Sequence, residues 1–134
     1  MFQRLSFLLT FVLIGAAGYW LRFLAPISSE WRDRSGGAAY VAFWIVILAF
    51  VSPRMKPWRA ALIILLVTCV LEFAQLWHPV WLESLRRTFV GRVILGTTFD
   101  WSDFPSYFAG ALLGWLLLFL LQSGLRRVRH TENS

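Results

Sequence analysis

Four long apolar runs, each bounded by basic residues, tryptophans or prolines, constrain this chain more than any other feature. A periodic amphipathic helix would alternate its faces; these runs do not alternate, so the segments are expected to be apolar all round, as membrane helices are. Composition agrees. A chain of 134 residues that is 58% hydrophobic and 15% charged, with 8 Trp and 12 Phe, holds more apolar surface than a soluble core of this size buries. The fold class predicted is all-α: a polytopic membrane bundle of four transmembrane helices in a single domain.

The spans are placed at about 5–24, 36–51, 58–77 and 104–121. The first begins like a secretory signal, with Arg4, an apolar stretch and Gly15-Ala16-Ala17-Gly18. Its apolar character continues through Tyr19-Trp20-Leu21 and Phe23-Leu24, which favours a retained helix. The second, from Gly36 to Val51, would reach only about 24 Å and call for local bilayer thinning or a shielded place in the bundle. Pro53 and Pro57 frame a tight basic turn, and Pro79 stops the third span. The fourth ends in a basic tail with Arg126, Arg127 and Arg129.

The net charge of +6 invites a nucleic-acid reading, but the basic residues flank the apolar runs, where they set topology and meet lipid headgroups. No nucleic-acid partner is expected. Arg4, Arg54, Lys56, Arg59 and the tail arginines fall on one side, and Arg22, Arg32, Arg34, Arg86, Arg87 and Arg92 on the other. The denser loop and tail favour both termini in the cytoplasm of a multi-pass plasma (inner) membrane protein. Cys69 is the single cysteine, so no intrachain disulfide forms. No metal-spaced ligand set, phosphate-cradling loop or nucleophile elbow is present, and neither a metal nor a cofactor is expected. Glu72 and Asp103 leave an acid/base reading open without specific support.

Polar residues inside the runs are the candidates for function. Glu72 lies within the third span, with Thr68, Gln75 and Ala61 on the same helical face. The fourth span carries a matching stripe of Asp103, Tyr107, Gly110 and Gly114, and Gly110-x-x-x-Gly114 admits a close helix neighbour. Between them, about 80–95 is expected to be one interfacial amphipathic helix with Leu82, Leu85, Phe89 and Val93 on its apolar face. On that helix Glu83 and Arg87 would form a solvated pair, and Arg86 would seek a carboxylate below, Glu72 or Asp103. The predicted site is therefore an outer-interface cluster of Glu72, Gln75, Arg86, Arg92, Asp103 and Tyr107, joined by Arg22. The plainer readings are interhelical hydrogen bonding for Glu72 and Gln75, helix capping for Asp103, headgroup attraction for the arginines and interfacial anchoring for His78.

The run from Thr68 to Pro79 (TCVLEFAQLWHP), followed by Leu82-Glu83, Arg86, Thr88-Phe89, Gly91-Arg92, Leu95-Gly96, Thr98-Phe99, Trp101, Asp103-Phe104-Pro105, Tyr107, Gly110 and Gly114-Trp115, resembles a bacterial integral membrane family. That family is catalogued as domain of unknown function 2809 and is similar to the VanZ-like proteins, whose namesake is linked to teicoplanin resistance. The resemblance implies a four-helix fold and a shared pattern of Glu and Gln on one helix, an Arg, then an Asp opening the next: here Glu72, Gln75, Arg86 and Asp103. Family sequences often carry an acidic residue around the start of the second helix, where this chain has Gly37-Ala38-Ala39-Tyr40. The function expected is binding of an anionic lipid or cell-envelope precursor at the polar cluster. The rival expectation is a structural accessory subunit of a larger membrane complex; a transporter or enzyme on a lipid-linked substrate ranks below both.

Overall fold

The computed structural model describes the backbone of residues 2–132; the side chains of 2–4, 6, 7, 22, 23 and 125–132 lie outside the described set. Six helices follow in order: α1 (Phe2–Phe23), α2 (Ser29–Val51), α3 (Pro57–Ala74), α4 (Val80–Arg86), α5 (Phe89–Leu95) and α6 (Asp103–Glu132). Among the described residues there is no strand. Three helices are long and apolar enough to cross a membrane: Ser29–Val51, Pro57–Ala74 and Asp103–Gly124. The apolar part of α1, Leu8–Leu21, is shorter.

Helix α2 is the centre of the bundle and packs against α1, α3 and α6. The short connector 24–28 turns α1 back antiparallel along α2, so Gly15 faces Phe43 and Gly18 faces Ala39. Helix α6 runs parallel to α2, with Gly37 against Ser106 and Tyr107, and Gly114 against Ala42 and Ile45. The expected close approach occurs at Gly110, where a Cβ would stand 2.4 Å from the Ala38 carbonyl oxygen. The core is correspondingly fine-grained: Val41, Ile45, Val46 and Ala49 of α2, Ala60 and Ala61 of α3, and Tyr107, Ala111 and Leu118 of α6. Outside it, α3 exposes Leu62, Ile63, Leu66, Val67, Val70 and Phe73. Apolar surface on this scale exceeds what a water-solvated monomer leaves uncovered.

The helix ends correct the sequence reading in four places. Helix α2 starts seven residues before Gly36 and is 23 residues long, so it is not short. The apolar run stopped at Arg34 and Ser35, but charged residues do not interrupt a helical backbone, and Ser28 lies at its N-cap. Helix α3 starts with Pro57 at its first turn and ends at Ala74, three residues before Trp77. Gln75, Leu76 and Trp77 continue as tight turns, donating to Glu72, Phe73 and Ala74. The interfacial segment is two short helices, not one. Thr88 breaks it by accepting from Gly91 N (2.9 Å) while donating to Leu85 O (2.7 Å). Leu82 is buried, and Leu85, Phe89 and Val93 are exposed. Helix α6 runs on past Leu121 to Glu132.

Candidate functional site

Glu72 is 1% exposed and is the hub of the polar residues at the end of the bundle where α3 stops and α6 starts. Its Oε2 accepts from Tyr107 Oη (2.6 Å) and Gln75 Nε2 (3.1 Å), and its Oε1 accepts from the backbone N–H of Asp100 (2.9 Å). One carboxylate thus ties α3 to α6 and to the connector between them, and the three donors supply what a buried carboxylate needs. The positioning comes from local structure. Glu72 and Gln75 share a face of the last turn of α3, and Tyr107 lies one turn into α6. Asp100 is held by an Asx turn in which its Oδ1 accepts from Ser102 N (2.8 Å). That bond keeps the Asp100 carboxyl below its ordinary range. Gly96 closes α5 at φ 67°, which L side chains rarely adopt, and a Cβ there would run into the Gln75 side-chain amide. Phe73, Phe99, Trp101 and Phe104 cover the hub in a set of tilted and edge-on contacts with centroids 5.1–6.2 Å apart.

Arg86 is not part of this hub. It is 4% exposed, as expected, but its guanidinium donates to Ala74 O (2.8 Å), Trp77 O (3.0 Å) and Glu83 Oε1 (2.8 Å). It adds a second donor to the last carbonyl of α3, satisfies that of Trp77, and fixes α4 beneath them. Glu83 also meets His78 Nδ1 (2.8 Å), and the imidazole first, then Arg86, hold its carboxyl below the usual range. The expected Glu83–Arg87 pair is therefore replaced by Glu83–Arg86. Arg87 keeps its helical place, its N–H donating to Glu83 O, but the buried Arg86 guanidinium takes the Glu83 carboxylate.

Beside the hub lies a cavity of about 870 Å³ between α1, α2, α5, the 96–102 connector and α6. Ile14 and Phe43 form an apolar wall toward mid-bundle, and Asp33, Arg92, Asp100 and Asp103 a charged wall at the bundle end. A smaller pocket of about 200 Å³ continues inward between Thr68, Glu72, Gln75, Gly96, Tyr40 and Tyr107. The two share Gly36, Gly37, Tyr40, Val93 and Tyr107 in their lining.

Of the residues expected from sequence, Glu72, Gln75 and Tyr107 are bonded together, with Asp103 close enough to feel the charge of Glu72. Asp103 is the first residue of α6, one position inside the cap expected of it. Arg92 stands on the cavity wall, and Arg22 lies outside the described side chains. The sequence reading missed Asp33, Tyr40 and Asp100. Asp33, Gly36, Gly37 and Tyr40 recur at helical spacing, a signal hidden because the second span was begun at Gly36. Asp33 also places a carboxyl in the early turns of α2, where Gly37–Tyr40 had none to offer. Asp100-Trp101-Ser102 has the composition of an Asx turn. Among the described residues, no group of His, Cys, Asp and Glu is placed to hold a metal ion.

The structure so far defines a helical bundle with three helices of membrane-crossing length and apolarity, joined through a buried carboxylate beside an end cavity. The family model described as "Protein of unknown function (DUF2809)" matches residues 27–111, and the chain belongs to that family. The match begins just before α2 and ends in the third turn of α6, so it takes in Glu72, all its hydrogen-bond partners and the charged wall of the cavity. No solved structure matches the chain.

Proposed function

We propose that this protein is a four-span membrane protein, α1 completing the bundle, that binds the headgroup of a lipid or lipid-linked cell-envelope precursor. The observation that carries the reading is the two-sided lining of the large cavity: apolar toward mid-bundle, charged at the end. An amphiphile has this polarity along its own length, and the cavity lies where the interface of a bilayer would meet the bundle. Arg92 is the contact for the phosphate. Arg86, expected to share that role, is spent on the α3 carbonyls and Glu83. Asp33, Asp103 and Tyr107 line the same space and orient the remainder of the headgroup.

The test is native mass spectrometry of the protein taken from its own membrane into lipid nanodiscs. A lipid or precursor retained by the wild type and lost from Arg92→Ala supports the reading. A retained protein partner with no retained lipid would reject it in favour of an accessory subunit.

A further inference from the structure

The large cavity changes its walls with depth. At the bundle end it is lined from α1, α2, α5, the 96–102 connector and α6. Helix α6 contributes only Asp103 and Tyr107; further along, Gly110 and Gly114 lie directly on Ala38 and Ala42 and leave no space between α6 and α2. The level of Phe43 is therefore lined by α1 and α2 alone, through Ile14, Gly15 and Phe43, all half-buried. Among the described residues, α1 packs closely on α2 and on no other helix, so no close packing shuts the side between α1 and α6. The deep part of the cavity is a groove that opens sideways.

The floor of this groove is held in place. Phe43 packs ring to ring with Phe11 (centroids 4.7 Å apart) and Trp44 (5.9 Å). Gly15 is not demanded by contact, since a Cβ there would meet the Phe43 ring at an ordinary 3.5 Å; its bare backbone leaves the groove free. Depth identifies the occupant. The α2 lining runs from Asp33 to Phe43, about 15 Å of helix and past the midpoint of Ser29–Val51. One leaflet of a hydrocarbon core ~30 Å thick is about as deep. What lies beside a spanning helix at that depth is acyl chain, and an empty apolar groove would forfeit its contacts. Resting on the proposed function, we infer that the groove seats one acyl chain of the same phospholipid whose phosphate meets Arg92. The lipid enters from the bilayer between α1 and α6, with its headgroup at the charged wall and its chain on Ile14, Gly15 and Phe43.

The experiment feeds cells making the full chain a fatty acid with a diazirine midway along it, so that their own phospholipids carry the probe. After illumination, adducts are mapped by peptide mass spectrometry, and retained lipid is read by native mass spectrometry. Adducts on 14–18 and 39–43 should outnumber those on Leu66, Val67 and Val70, which face outward on α3. Gly15→Leu fills the groove and should bring its adducts down to the α3 level while lipid is still retained. Arg92→Ala should lower both the groove adducts and the retained lipid. Wild-type adducts spread evenly over groove and α3, with lipid retained, would overturn the chain seat and leave headgroup binding standing. Groove adducts that survive Arg92→Ala would overturn the assignment of chain and phosphate to one lipid. No retained lipid and no groove adducts would remove both readings. The wild-type map depends on no variant, and unchanged α3 adducts show that each variant still sits in the membrane.

Discussion

Arg86 and Arg92 are six residues apart and meet opposite fates. Arg86 is turned into the fold, where it donates to Trp77 O, to Ala74 O as a second donor beside Trp77 N, and to the Glu83 carboxylate. Arg92 is exposed on the cavity wall. Arg86→Met keeps the length of the side chain but leaves Trp77 O without its donor and Ala74 O with one donor in place of two. It should lower stability by about 1–3 kcal/mol, the range for one unpaired acceptor. Arg92→Met should leave stability within about 0.5 kcal/mol. Reversible unfolding in mixed detergent micelles reads both, and equal stability of the two variants would show that Arg86 does not lock α3 to α4. Sequence spacing marked both arginines as buried-face cations seeking a carboxylate. It did not separate them, because the break at Thr88 changes which way each one points.

At the scale of elements, the packing of α6 on α2 depends on two backbones touching. At Gly110 a Cβ would stand 2.4 Å from Ala38 O and 2.9 Å from Ala38 Cα, backbone atoms that cannot swing aside. Gly110→Ala should therefore push the helices apart and destabilise the bundle by about 1–3 kcal/mol. Gly124 is the control: nothing lies within 4 Å of a Cβ built there, and Gly124→Ala should gain about 0.5–1 kcal/mol from helix propensity alone. Opposite signs for the two, measured by thermal unfolding in the same detergent, identify contact rather than propensity as the cause. The Gly110-x-x-x-Gly114 motif was legible as a close-approach site, but its partner was not. The sequence offered Glu72 on α3 as the companion of the α6 stripe. The structure gives the α6 stripe two neighbours, α3 through Tyr107 and α2 through the glycines.

For the whole molecule, the directions of α1, α2, α3 and α6 bring the start of α1, the 52–56 turn and the end of α6 to one end, and α4, α5 and the cavity to the other. With the proposed orientation, basic turn and tail in the cytoplasm, the cavity would lie on the outer face of the membrane. In a Cys69→Ala background, Ser84→Cys should react with a membrane-impermeant maleimide in intact cells, and Ser52→Cys only after permeabilisation. The reverse pattern would put the cavity on the cytoplasmic side. Ser84 is exposed on α4 and suits the label.

The sequence by itself determined the helical class, the presence and order of the apolar helices though not the start of α2 or the end of α6, and the polar face of Thr68, Glu72 and Gln75. These follow from hydropathy and helical period, which are local. Tertiary structure decided what each polar group is bonded to. The Asp100 N–H that completes the Glu72 site is a main-chain group, and no residue type marks it out in advance. The carbonyls that Arg86 meets, Ala74 O and Trp77 O, lie at the end of α3, and Arg86 reaches them only because α4 turns back beneath that end. The cavity likewise exists between helices distant in the chain, where Asp33 of α2 and Asp103 of α6 line one space because those two helices pack parallel.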